Sequence, residues 1–344
     1  MEPDTLLFES SPFGSLDAMV EQDSRVAYLY LHAPQHSNFG TRAVWIRNLI
    51  KGPLVLSDQE MQMGIPPVLP RTYCATPDGS PPLKTDKLRF VWFEEGNGVA
   101  LLEDEDIIAV IPPWSGMESF HGYSRECRTE NPICWPMPQQ SHLEVRVRRA
   151  AQYWKNWEQL NPFKTYQEDF LGALAERWPE LDRYFSIDGN KWPPKGVQCF
   201  KDGADLVAVT IGLGLCSMPN VELATENPSA IRRIELAMRI PSEADLESLL
   251  GWISGLANFP WHQFTWLGHG HTSSLPPGLL DGFEAVFFCH DQFSTQPIKA
   301  KPIQDDPVNL LWLVPVSASE ADASQADERG SEALVGQLVK QSRV

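Results

Sequence analysis

Basic residues are scarce in this chain: 28 Lys and Arg stand against 45 Asp and Glu in 344 residues, a formal charge of −17. Nucleic acid and anionic membranes are gripped through clustered Lys and Arg, so neither is expected as a partner, and a basic protein is the natural counterpart. Long apolar runs are missing as well. No stretch approaches the roughly 18 apolar residues of a membrane span. The opening MEPDTLLFESS lacks the basic start and apolar core of a secretory signal, which points to a cytoplasmic protein. Cysteine is sparse, six residues scattered without a Cys-x-x-Cys pair, so they read as reduced and mostly buried thiols. The glycine-framed serine of hydrolase elbows and the phosphate-binding GxxxxGK[ST] loop are also absent. GLGLC at 212–216 lacks the third glycine and the following helix of a dinucleotide fingerprint. No cofactor and no enzymatic activity are therefore expected.

What is present suffices for a full core, and the length favours two domains. From Arg25 to Ile111 the pattern is β: VAYLYLH at 26–32, AVWIRNL at 43–49, KLRFVWF at 87–93, then EEGNG as a tight reversal, VALL, the polar break EDED at 103–106, and IIAVI. A Pro- and Gly-rich stretch to Pro138 follows. The segment 141–160 reads as a helix bridging two domains, with Val145, Ala150 and Trp154 or Trp157 lining one side. In the second part, Thr165 and Glu168 form a capping-box pattern ahead of Tyr166, Phe170, Leu174 and Trp178 at steps of four. RRIELAMRI at 232–240 alternates, placing Ile234, Leu236, Met238 and Ile240 on one face and Arg233, Glu235 and Arg239 on the other. Ser242 and Asp245 cap a helix with a continuous apolar stripe, and strands follow at 284–290 and 309–316. A helix opened by Ser317 and Glu320 is then broken at Gly330 before a last one. The expected fold class is α+β (an α/β sandwich): a β-rich domain over 1–140, a helical linker over 141–162, and over 163–344 a mixed sheet flanked by helices.

The most conspicuous local pattern is FTWLGHGHTSSLPPG at 264–278. His269 and His271, with His262 and His290, supply enough imidazoles for a zinc site and hence for a metal-dependent hydrolase. A loop His-x-His lacks the fixed helical spacing of H-E-x-x-H, however, and Gly268 and Gly270 read more simply as permits for a turn. On that reading the corner is architecture, and Trp266, His269, His271 and Thr272 are candidates to rim a partner-binding surface. Trp114, in IPPWSG, is a candidate interface anchor if exposed and a core residue if not. Cys127 and Cys134, with His121 upstream, are spaced too widely for a zinc hook. The acids 103–106 read as an exposed hairpin tip, and Asp305-Asp306 as a solvated turn.

Several stretches taken in order resemble the suppressor-of-fused family across roughly 163–342. They are FLGALAERWPEL before VQCFKDG, a strand ending TIGLG, IELAMRIP leading into a helix ending FPW, then GHGHT, FCHDQFSTQPIKA, and LLWLVPVSASEADASQADERGSEALVGQL. The resemblance implies a mixed α/β sandwich that acts by binding. Animal relatives hold a transcription factor in the cytoplasm by capturing an extended peptide, and some bacterial relatives are proposed to be immunity proteins that neutralise toxins. Here the resembling part comes last, whereas in animal relatives it comes first. Strand addition needs an open sheet edge; the expectation places it near the 232–240 strand or its neighbour, flanked by the 268–278 loop.

Overall fold

Alternation of apolar and polar residues buries one face of a strand and leaves the other to water; this pattern builds the first sheet of the chain. In the computed structural model, which describes residues 3–36, 39–117, 120–138, 142–326, 328–341 and 343, the chain forms two units, Met1–Gln159 and Leu160–Val344. Strands β1 (Asp4–Ser10), β2 (Asp17–Gln22), β3 (Val26–His32) and β4 (Thr41–Asn48) make an antiparallel sheet in that order. Ala27, Leu29 and Leu31 on its inner face are fully buried. After the short helix α1 (Asp58–Gln62) come β5 (Leu88–Trp92), β6 (Val99–Glu103), β7 (Asp106–Ile111), β8 (Tyr123–Ser124) and β9 (Trp135–Pro136), a second sheet. The sheets are stitched where Ser124 Oγ donates to the Ile46 carbonyl at 3.0 Å.

The helix expected to bridge the two parts, α2 (His142–Gln159), packs on the second sheet of this unit. Ser141, taken as its first residue, and the boundary beside it lie outside the described residues. Leu143, Val147 and Ala150, spaced to fall on one helical face, join Val91, Phe93, Ala100, Leu102 and Val110 in one apolar cluster. Val145, expected inside, lies on the opposite side of the helix and is 64% exposed. The EEGNG reversal lies buried, with Glu95 paired to Arg146 at 3.0 Å and Glu94 to Arg149 at 3.4 Å.

The second unit opens with α3 (Pro162–Ala175), capped by Asn161, whose side chain accepts from Lys164 N at 3.1 Å. The Thr165–Glu168 box is therefore not the helix start: Pro162, which has no N–H to satisfy, already occupies the first turn. Then follow β10 (Leu181–Ser186), β11 (Gly196–Asp202), β12 (Asp205–Ile211), β13 (Ile234–Ile240), α4 (Leu246–Gln263), β14 (Thr272–Ser274), β15 (Ala285–His290), β16 (Asn309–Val316), α5 (Ala318–Gln325) and α6 (Glu328–Lys340). Asp245 alone caps α4, accepting from the N–H groups of Glu247 and Ser248, while Ser317 and Glu320 form the expected reciprocal capping box of α5. Gly330 is not the break between the last helices. It lies in α6, where an added Cβ would fall 2.2 Å from the Ala323 carbonyl oxygen, so its role is close packing.

The sheet order is β10-β11-β12-β13-β16-β15-β14, with β13 and β16 parallel and the other pairs antiparallel, a mixed sheet in an α+β protein. Strands β13, β15 and β16 are buried on both faces. This placement corrects two expectations. The 232–240 strand and its neighbours β12 and β16 are internal, and the edges are β10 and β14. Arg233 and Glu235 do not face water, because a sheet covered on both sides has no polar face to offer.

Candidate functional site

The glycine–histidine corner starts where α4 ends. Phe264 takes a left-handed conformation (φ 50°), returning its N–H to the Pro260 carbonyl. Gly270 (φ 88°) donates to Phe288 O at 2.9 Å, and Phe288 N donates to His271 O at 2.9 Å, so the turn is laced to β15. Gly268 is required by crowding: a Cβ there would lie 2.3 Å from the Trp266 ring.

Each histidine of this region has an identifiable environment. His269 Nδ1 accepts from His290 N at 3.2 Å, and its ring lies 4.9 Å from that of Phe293. The His271 ring lies 4.3 Å from that of Trp266, and burial lowers the pKa of both imidazoles. His290 Nδ1 accepts from Gln292 N at 3.0 Å, which leaves Nε2–H to donate to Asn309 Oδ1 at 2.9 Å: a neutral tautomer fixed by its neighbours. His262 lies exposed in the last turn of α4. Thr272 on β14 accepts a hydrogen bond from Gln325. The imidazoles of His269, His271 and His290 thus accept or stack within the turn itself. No group of three or more His, Cys, Asp or Glu among the described residues is placed to hold a metal ion. Trp114 is half-buried against the α2 cluster, with the Arg146 guanidinium 5.2 Å from its ring centre.

Cys127 and Cys134 do come together. The Asn131 side-chain N–H group lies 3.3 Å from one sulfur and 3.6 Å from the other. A hydrogen bond from Cys134 lowers the Cys127 pKa, and burial pushes that of Cys134 up. His121 is half-buried, its pKa lowered by burial. Each acid of 103–106 is paired with a base, including Arg47–Glu103 at 2.7 Å and Lys87–Asp104 at 2.7 Å.

The buried charges of the second unit escaped the sequence reading. Glu235, with 0% of its surface exposed, accepts at Oε1 from Tyr166 OH (2.8 Å), Gly212 N (2.8 Å) and Gly214 N (3.0 Å), and at Oε2 from Thr210 Oγ1 (2.6 Å). The glycines of GLGLC thus cradle a carboxylate of their own chain. Burial drives the Glu235 pKa up to about 7, against the opposing pull of these donors. Arg233 donates to the Gly214 and Leu215 carbonyls at 3.1 and 2.8 Å and to Asp306 at 3.1 Å. Asp306 also binds Arg232 at 2.6 Å, so it is a buried anchor and not the expected solvated turn. Lys195, nearly buried, donates to Asn258 at 2.8 Å over the Trp261 ring, and burial lowers its pKa to about 8. Asp291 accepts from Trp312 Nε1 at 2.7 Å and Arg177 at 3.1 Å. A perturbed acid in an open cleft would suggest catalysis. Glu235 is sealed from any substrate, so its chemistry is structural.

Among the accessible features of this unit are its strand edges. β10 is six residues long, and its Leu181 and Tyr184 are 59% and 41% exposed. β14 is three residues long, beside the Trp266–His271 pair.

Residues 196–344 match the model of the suppressor of fused protein (SUFU) family. The match begins at β11 and leaves α3 and β10, part of the sequence-level resemblance, outside it. No curated protein and no solved structure matches the chain. The match over these residues is consistent with a suppressor-of-fused-like family, and that family suggests a regulatory role in binding proteins without catalysis. No helix among the described residues is long and apolar enough to cross a membrane.

Proposed function

We propose that this chain, whose residues 196–344 match the suppressor of fused family, acts by holding an extended segment of another protein along an edge of its seven-stranded sheet. The observation that carries the reading is β10, a full-length edge strand with exposed Leu181 and Tyr184. An edge strand offers unpaired backbone groups to an incoming chain, and its alternate side chains select among candidates. The charge of −17 favours a basic segment. Trp266, His269, His271 and Thr272 at β14 are the second candidate contact, supported by the aromatic–imidazole pairing there. The finer reading, an immunity protein neutralising a toxin, is decided by the partner's identity.

Affinity capture from the native cell, with mass spectrometry, is the test. The wild-type chain is expected to retain a protein that Leu181→Lys loses and Ser273→Lys keeps, because a lysine on an edge opposes pairing. Loss on Ser273→Lys alone would move the site to β14. Equal capture by all three chains, or none by the wild type, would refute strand addition.

A further inference from the structure

The first unit contains a cleft with no role in the reading above. Strand pairing fixes its floor on the outer face of the first sheet: Tyr28 lies opposite Glu21, and Tyr30 opposite Met19, which in turn lies opposite Phe8 of β1. The cleft has a volume of about 980 Å³, and Met19, Glu21, Arg25, Tyr28, Tyr30 and His32 contribute to its lining. The Tyr28 and Tyr30 rings stack with centres 5.9 Å apart and planes 22° apart. Tyr28 OH donates to the Pro67 carbonyl at 2.7 Å, which straps a loop over one end, while Tyr30 and His32 remain half-exposed. Phe8, at 55% exposure, extends the apolar floor.

The charges in the cleft are unequal. Arg25 is paired with Asp23 at 2.8 Å and Glu60 at 2.6 Å. Glu21 is half-buried, and its carboxylate makes no hydrogen bond or ion pair among the described residues. The lining thus holds three carboxylates and one guanidinium, which two of them already neutralise. We propose that this cleft binds a cationic side chain, an arginine or lysine of a basic protein segment, laid across the Tyr30 ring with its charge at Glu21. An aromatic face attracts a cation, and the attraction strengthens as water is excluded. Met19 and Phe8 suit the methylene stem that such side chains bury while their charge stays hydrated or paired. Burial raises the Glu21 pKa, and an entering cation would relieve that cost. An anion would meet Glu21 with no unengaged base beside it. The site lies on a different unit from the sheet edges, so failure of strand addition leaves it standing.

The test uses the full chain and a dye-labelled pentapeptide, capped at both ends and carrying two arginines, in a fluorescence anisotropy titration at low salt. Saturable binding to the wild type is expected, weakened about fivefold in Glu21→Gln and in Tyr30→Leu, and retained in Tyr30→Phe, which keeps the ring. Glu105→Gln removes the same charge from an exposed hairpin tip and is expected to bind as the wild type does. Equal losses in Glu21→Gln and Glu105→Gln would show diffuse attraction to an acidic protein and overturn the site, as would absence of saturable binding. Should Tyr30→Leu unfold, the contrast between the two glutamine variants still decides.

Discussion

The two units bury charge to different depths. In the first, buried acids such as Glu94 and Glu95 pair with arginines that stay half-exposed, and ion pairs such as Arg89–Glu105 and Lys87–Asp104 lie at the surface. In the second, a sheet covered on both faces carries Arg233, Glu235, Asp291 and Asp306 among its fully or nearly fully buried residues, each answered by several partners. The difference teaches that alternation in a strand means different things in the two settings. Where water lies on one side, a polar residue at every second position is a surface residue. Where it does not, the same residue obliges distant parts of the chain to supply donors and acceptors.

The largest expected effect separates these regimes directly. Glu235→Ala leaves Tyr166 and two glycine N–H groups without an acceptor, takes from Thr210 its shorter one, and is expected to destabilise the second unit by about 4 kcal/mol in urea unfolding. Glu105→Ala, which breaks an exposed pair in the first unit, is expected to cost less than about 0.5 kcal/mol. Similar values for the two would erase the contrast.

A smaller effect sharpens it through pH. Because burial raises the folded-state pKa of Glu235 from 4.5 to about 7, its contribution to stability is fully present below pH 4.5 and is lost as pH rises to about 7. Lys195, lowered from 10.5 to about 8, works in the other direction: its contribution is lost as pH falls from 10.5 to about 8. Thermal melts of the second unit are expected to fall from pH 4.5 to 7 relative to Glu235→Gln, and to rise from pH 8 to 10 relative to Lys195→Met. Parallel curves for wild type and variants would remove the buried charges from the account. The smallest effect concerns the corner: Gly270→Ala, at φ 88°, is expected to cost about 1 kcal/mol without changing metal content, measured by melting and elemental analysis.

Much of the fold was legible because local physics sets it. The 26–32 and 309–316 strands have the bounds read from their runs, and the Ser317–Glu320 box opens its helix, since a cap depends on residues three apart. The polar interior was not legible. Nothing near Glu235 in sequence announces Tyr166, some seventy residues earlier, or the Gly212 and Gly214 donors. Those two glycines were the one available signal, set aside for failing a nucleotide motif when their amides served an internal acid. The side of the bridging helix that faces inward was hidden for a related reason. Its buried stripe runs through Leu143 and Val147, and only the sheet it covers distinguishes that side from the one bearing Val145.

Strand β16 lies in the middle of its sheet, hydrogen-bonded to β13 on one side and β15 on the other, yet it is made after every other described strand of that sheet. Ile234 pairs with Asn309, so β13 must wait on the ribosome for its neighbour, and β15 likewise, until residues near 316 have emerged. A nascent chain halted before that point holds two half-sheets with raw inner borders, a species for chaperones, and a premature stop codon there would split the domain down its centre.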